Sequence, residues 1–111
     1  MNTIILMALS MVSSELDETK RLAPKYEAEM TVILEDNTVC DLLTDKYAFE
    51  IDYAEKWYEA IGQALHYAIV SERKPAIILL LKNAETEWKY LIRCATVCGK
   101  YDIKLYVEPV K

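Results

Sequence analysis

Glycine and proline are scarce in this sequence, with two glycines and three prolines among 111 residues. That scarcity excludes a flexible linker, a low-complexity tract and a glycine-rich phosphate loop, and it indicates an ordered chain. Histidine occurs once, at His66, and neither G-x-S-x-G nor H-E-x-x-H is present, so serine-hydrolase and zinc-protease chemistry have no support. Three cysteines, Cys40, Cys94 and Cys98, are too few for a disulfide scaffold. No histidine lies near Cys94 and Cys98 in sequence, so three buried thiols are expected rather than a zinc site. Positive charge is short as well. Thirteen Lys and Arg stand against 18 Asp and Glu, a net charge of −5, and the molecule as a whole does not attract polyanions. Lys20, Arg21, Lys25, Arg73 and Lys74 form no continuous basic stripe. Long apolar runs are also missing: Thr3 to Val12 is ten residues, where a bilayer needs about 20. No membrane span is therefore expected. The apolar segment 1–13 reads as a packed strand or short helix, or as a secretory signal that lacks a preceding Lys or Arg. The first reading favours the cytoplasm; the second leaves a secreted or periplasmic protein open.

What the chain does contain is apolar residues, 53% of it, enough for a single domain spanning residues 1–111 with one core. Ser14 and Asp17 read as a capping box that opens a helix through Leu16 and Leu22, interrupted near Pro24. Alternation from Met30 to Leu34, turn residues Glu35-Asp36-Asn37 and a return from Thr38 to Leu43 predict a hairpin. Tyr47 to Ile51 follows as a third strand. From Tyr53 to about Ser71 the residues Trp57, Ile61, Ala64, Leu65, Ala68 and Ile69 fall within an arc of about 140°, the buried stripe of an amphipathic helix. The aliphatic run Pro75 to Leu81 predicts a central strand covered on both faces. A helix from Glu85 to Cys98, ending near Gly99, and a strand from Ile103 to Val107 complete the order αβββαβαβ. The fold class is α/β, a mixed sheet flanked by helices, with a parallel crossover from the third strand to the fourth.

Three acids stand out on this scaffold. Glu50 and Asp52 are two apart on a strand and point to one face, which must meet water or a cation. Asp41, on the neighbouring strand, can approach them, because strands lie about 4.8 Å apart. Oxygen ligands of this kind suit magnesium or manganese, and such an ion polarises a phosphodiester and activates water. On the following helix Lys56, Gln63 and Tyr67 share a narrow stripe, at about 0°, −20° and +20°, with Ala60 leaving room between them. Lys56 lies near the helix N-terminus, where anions are favoured. His66 lies off this stripe and reads as a helix-flank residue. Each side chain also has an ordinary explanation: Asp52 as a helix cap, Lys56 in an ion pair with Glu55 or Glu59, and Gln63 and Tyr67 as a boundary pair.

Taken together these residues resemble the PD-(D/E)XK nuclease superfamily over roughly Glu29 to Leu81, half of the chain. Asp41 in VCDLLT falls where that family has its second-motif aspartate and Glu50 in FEID where it has the third-motif acid; Gln63 and Tyr67 in QALHY look like the Q-x-x-x-Y signature of the RecB-like branch. The stretch from Tyr47 to Ala68 also resembles small bacterial and phage proteins. The resemblance implies a restriction-endonuclease-like core, Mg2+ or Mn2+ held by Glu29, Asp41 and Glu50, and substrate positioning by Gln63 and Tyr67; Glu27 is the alternative to Glu29. The family's acid-x-lysine pattern is broken, because Asp52 stands at the lysine position. Lys56, one turn along the helix, is the candidate replacement. The expected activity is metal-dependent hydrolysis of DNA, by Asp41, Glu50, Asp52 and Lys56, in a homodimer. The alternative is an inactive nuclease-fold protein that serves as a nucleic-acid-binding or protein-interaction module.

Overall fold

The computed structural model describes residues 15–110, so the apolar segment 1–13 and the Ser14 half of the expected capping box lie outside the described residues. Five strands, β1 (Glu29–Ile33), β2 (Val39–Leu43), β3 (Tyr47–Tyr53), β4 (Lys74–Leu81) and β5 (Lys104–Pro109), form one sheet in the order of the chain. β1, β2 and β3 are antiparallel neighbours, and β3, β4 and β5 are parallel. Helix α1 covers residues 15–22, α2 runs Trp57–Ser71 and α3 runs Ala84–Tyr101. This is the α/β mixed sheet that the residue pattern predicts. No helix among the described residues is long and apolar enough to cross a membrane.

The parallel strands are sandwiched. On one face Leu22 from α1 packs with Phe49, Ile51, Ala76, Ile78 and Leu80. On the other, Ile77 and Leu79 meet Ala60 and Ala64 from α2 and Cys94 and Cys98 from α3. β4 contributes to both layers, which is why its sequence is an unbroken aliphatic run rather than an alternating one. The three cysteines are buried free thiols.

Helix boundaries depart from the sequence expectation at two places. β3 continues to Tyr53, which pairs with Leu80 of β4, and a 3-10 turn over Ala54–Lys56 precedes α2; the Tyr53 N–H also donates to the Asp52 carboxylate at 2.9 Å. α3 passes through Gly99 and stops at Asp102, whose φ of 55° closes the helix in the left-handed conformation and returns its N–H to Cys98. Asp accepts that conformation at low cost, so glycine is not required there. At its start Asn83 accepts from the N–H groups of Glu85 and Thr86, and Glu87 reaches back to the N–H groups of Lys82 and Asn83, a reciprocal cap.

The buried stripe of α2 is also rotated from the predicted one. Ala60, Ala64 and Ala68 face the sheet, whereas Ile69 is 77% exposed. Ala60 therefore leaves no gap in the Lys56 stripe; it is fully buried. Small side chains let the helix lie close to the strands, and Trp57, Ile61 and Leu65 pack along its flank. Ala64→Leu is expected to destabilise by about 1–3 kcal/mol through overpacking, while Ile69→Ser changes stability by less than about 0.5 kcal/mol, both read from urea unfolding midpoints. The reverse order would mean that the hydrophobic side chains, not the alanines, seat this helix.

Candidate functional site

The β1–β2 hairpin crosses from one face of the sheet to the other, and the crossing creates the site. Met30 and Leu42 are partners and pack on the α1 side, yet Val32 and Cys40, also partners, pack with Tyr67 and Val70 on the α2 side. In a regular strand residues two apart share a face. Thr31 sits between these pairs with φ at 50°, a conformation that costs a β-branched residue about 1–3 kcal/mol. Asp41, across from it, has left the ladder: the paired residues of β2 and β3 are Leu42 with Phe49 and Leu43 with Ala48. Beyond them the Ile51 N–H donates instead to the Asp41 carboxylate at 2.8 Å. The tip of the hairpin is tied to α2 where His66 Nε2 and Asp36 Oδ2 meet at 2.7 Å, so His66 is a helix-flank tether.

Glu50 projects from β3 beside Asp41 and is buried, as is Asp52 two residues on. Burial, a hydrogen bond with Asp41 and the Asp41 charge push the Glu50 carboxyl up to about 12, with Asp52 and Glu15 adding to the rise. In this state Glu50 is protonated at neutral pH and shares its proton with Asp41. Burial and the Glu15 charge raise Asp52 to about 7, opposed by the Tyr53 N–H and by Lys56. Burial raises Glu15 as well, with Asp41 next, while Lys56 and a hydrogen bond with Asp52 lower it. The Tyr67 phenol is held above its ordinary range by burial and by Glu50 and Asp41. Like charges out of water are costly, and a proton or another cation must relieve them.

The structure thus brings Asp41, Glu50, Asp52 and Tyr67 together and sets Lys56 beside Asp52 and Glu15, not beside Asp41 and Glu50. Lys56 is exposed at the end of the 3-10 turn. Gln63 is exposed and lines a groove of about 250 Å3 with Thr38, Gly62, His66 and Tyr67. Glu29 and Glu27 lie apart from these acids. Both line a separate cleft of about 520 Å3, with Tyr26, Lys46, Tyr47 and Arg73, because Glu29 lies opposite Leu43, on the near side of the hairpin crossing. The acid whose charge reaches Glu50 and Asp52 is Glu15, from α1. Sequence reasoning missed it because nothing in the local pattern shows that α1 begins at this end of β3. Glu59 also adds its charge to Asp52 and Glu15; its spacing of three from Lys56 and four from Gln63 was the available signal. Among the described residues, no group of three or more His, Cys, Asp or Glu is placed to hold a metal ion.

Over 86 residues, 78% of the chain, the sequence is 36% identical to a protein of Acanthamoeba polyphaga mimivirus named as KilA-N domain-containing. The chain spans 23% of that protein's length. No protein-family model matches the chain, and no solved structure matches it.

The acid pair gives stability a definite pH dependence. The folded pKa of Glu50 lies above the ordinary carboxylate value near 4.3, so folding binds a proton and stability falls as pH rises from about 4.5 toward 12. Asp52 adds the same sign between about 4 and 7. Glu50→Gln keeps a donor toward Asp41 without the titration. In metal-free buffer it is expected to gain more than about 1 kcal/mol over the wild type on going from pH 5 to pH 8, measured by denaturant unfolding. Parallel pH profiles for the two proteins would show that Glu50 is ionised in the fold.

Proposed function

We propose that this chain is a nucleic-acid-directed hydrolase of the PD-(D/E)XK type, cleaving DNA phosphodiesters with Mg2+ or Mn2+. The observation that carries the reading is the contact between the buried Glu50 carboxyl and the half-buried Asp41 carboxylate at the break in the β2–β3 ladder. An uncompensated acid pair is expensive in a structural core, and it supplies the hard oxygen donors that these ions accept through one or two carboxylates plus substrate phosphate. Asp41 and Glu50 would hold the ion, which would supply Lewis-acid polarisation of the phosphodiester and a water of lowered pKa. Asp52 fixes the start of the 3-10 turn through the Tyr53 N–H and so sets where Lys56 emerges. The Lys56 ammonium, beside Asp52 and Glu15, offsets negative charge at the rim and is available to a phosphate oxygen. Tyr67 packs behind the acid pair, and Gln63 lines the groove next to it. The element order αβββαβαβ and the QALHY helix support the family reading, and the mimiviral relative's name supports a DNA partner.

A second reading keeps the scaffold without catalysis, as a DNA-binding module. It is favoured by the grouping of the acids, since no three are placed to share a metal among the described residues, and by Asp52 at the position where the family has lysine.

On the first reading, Mn2+-dependent cleavage of single-stranded, duplex, flap or branched DNA is expected, abolished by Asp41→Ala and Glu50→Ala in folded protein. Lys56→Ala is expected to cost about 2–4 kcal/mol of transition-state stabilisation with metal affinity nearly unchanged. Asp52→Lys should recover part of that loss, as its side chain shares the Glu50 face. Calorimetric titration with Mn2+ separates the readings: binding lost in Glu50→Ala supports a working site. Absence of binding at millimolar Mn2+, together with no cleavage of any substrate, would leave the DNA-binding module.

A further inference from the structure

The outward face of α3 carries cations in a row that sequence inspection did not resolve. Lys89, Arg93 and Lys100 are all exposed. At 100° per residue they fall within about 40° of one another on the helix, and the row extends over about 16 Å at 1.5 Å per residue. Thr96 stands between Arg93 and Lys100 on the same face and is also exposed, its hydroxyl turned back to the Ile92 carbonyl at 2.8 Å. One exposed acid borders the row, Glu85, one turn before Lys89 on the same face, and Glu87 is buried in the cap. Lys89 and Arg93 both lie over the Tyr90 ring, at 5.2 and 5.9 Å from its centroid, which holds the two side chains along the helix surface. None of the three appears in an ion pair among the described residues. On the adjoining flank Trp88 is 55% and Ile92 51% exposed, a stacking surface beside the cations. In a chain of net charge −5, three unpaired cations on one rigid face, bordered by an exposed indole, are complementary to a polyanion that also offers aromatic faces.

We propose that this face of α3 is a docking surface for a nucleic-acid strand, with Lys89, Arg93 and Lys100 on backbone phosphates and Trp88 against a base. The inference rests on the reading of the chain as nucleic-acid-directed and is independent of whether the acid pair cleaves. The surface lies outside the acid site, so it positions a strand and takes no part in the chemistry.

The test is fluorescence-anisotropy binding of labelled single-stranded and duplex DNA to the full chain in EDTA, across a series of salt concentrations. Wild-type protein is expected to bind, with affinity falling as salt rises. K89Q/R93Q/K100Q together are expected to weaken binding at least tenfold and to lower the slope of log affinity against log salt by about 2 to 3, roughly one per lost phosphate contact. Trp88→Ala is expected to weaken single-strand binding more than duplex binding. K20Q/K46Q/K74Q, which removes the same charge from exposed positions elsewhere, is expected to leave the slope nearly unchanged. Circular dichroism of each variant checks the fold; a misfolded triple variant is replaced by the three single variants, each expected to lower the slope by about one. Equal loss in both triple variants, an unchanged slope in K89Q/R93Q/K100Q, or binding only to anionic phosphatidylserine vesicles would overturn the proposal. Cleavage with Mn2+ is read separately. Slope loss without any wild-type cleavage leaves the docking surface standing and removes the nuclease reading; cleavage with an unchanged slope does the converse.

Discussion

The Asp41 carboxylate occupies a position in the sheet that a backbone carbonyl would ordinarily fill. It accepts the Ile51 N–H, so β3 keeps its hydrogen bond while β2 turns away and carries the hairpin tip over α2. Without that substitution the choice is an orphaned amide next to the core or a continuous ladder, and a continuous ladder would hold Val32 and Cys40 on the same face as Met30 and Leu42. The left-handed Thr31 on β1 is the matching adjustment. One acidic side chain thus links hairpin path, sheet twist and the placing of a carboxylate against Glu50. The strain lies one strand from the acids, where strain of this kind is commonly retained for function.

Charge is distributed unevenly over the chain. Four of the acids, Glu15, Asp41, Glu50 and Asp52, interact at one end of β3, where burial and neighbouring charge raise Glu15, Glu50 and Asp52, whereas three cations align on α3 with one acid, Glu85, at the start of the row. A net charge of −5 therefore describes neither surface. The whole-chain value argued against polyanion binding, but it averages a protonated or cation-seeking pocket with a basic helix face. Screening at physiological salt acts over about 8 Å, shorter than the row itself, so a partner meets the local field rather than the mean.

Much of the fold was legible. The aliphatic run of β4, the turn at Glu35-Asp36-Asn37 and the absence of proline from α2 each determine an element locally, and all appear where expected. The rotation of α2 was not legible, because hydrophobicity ranks Ile69 above Ala60 while close approach to a sheet selects the smaller side chain. The end of α3 was misplaced because glycine is the usual stop, although Asp102 takes the same left-handed conformation. At the site, alternation placed Glu50 and Asp52 on one face, and strand adjacency placed Asp41 within reach. Glu29 and Glu15 could not be distinguished, since that depends on a face crossing at Thr31 and on where α1 enters, both set by tertiary packing. The basic row on α3 was in the sequence at positions 89, 93 and 100, but it was obscured by reading basic residues along the chain rather than around the helix.

The departure at Asp52 has a consistent physical account. A lysine at this buried position would bring its ammonium among Glu15, Asp41 and Glu50 and neutralise them from the strand. Asp52 adds a carboxylate there instead, and its proton affinity rises accordingly. It also accepts the Tyr53 N–H at the end of β3, ahead of the 3-10 turn that ends at Lys56. The cation nearest Asp52 and Glu15 therefore comes from the helix start rather than from the strand. Lys56 is exposed, so its ammonium keeps its water, and its attraction to the acids is weaker than a buried ion pair's. The cluster consequently retains a deficit of positive charge that Lys56 alone does not offset. A proton held by Glu50 toward Asp41 meets that deficit in the isolated chain.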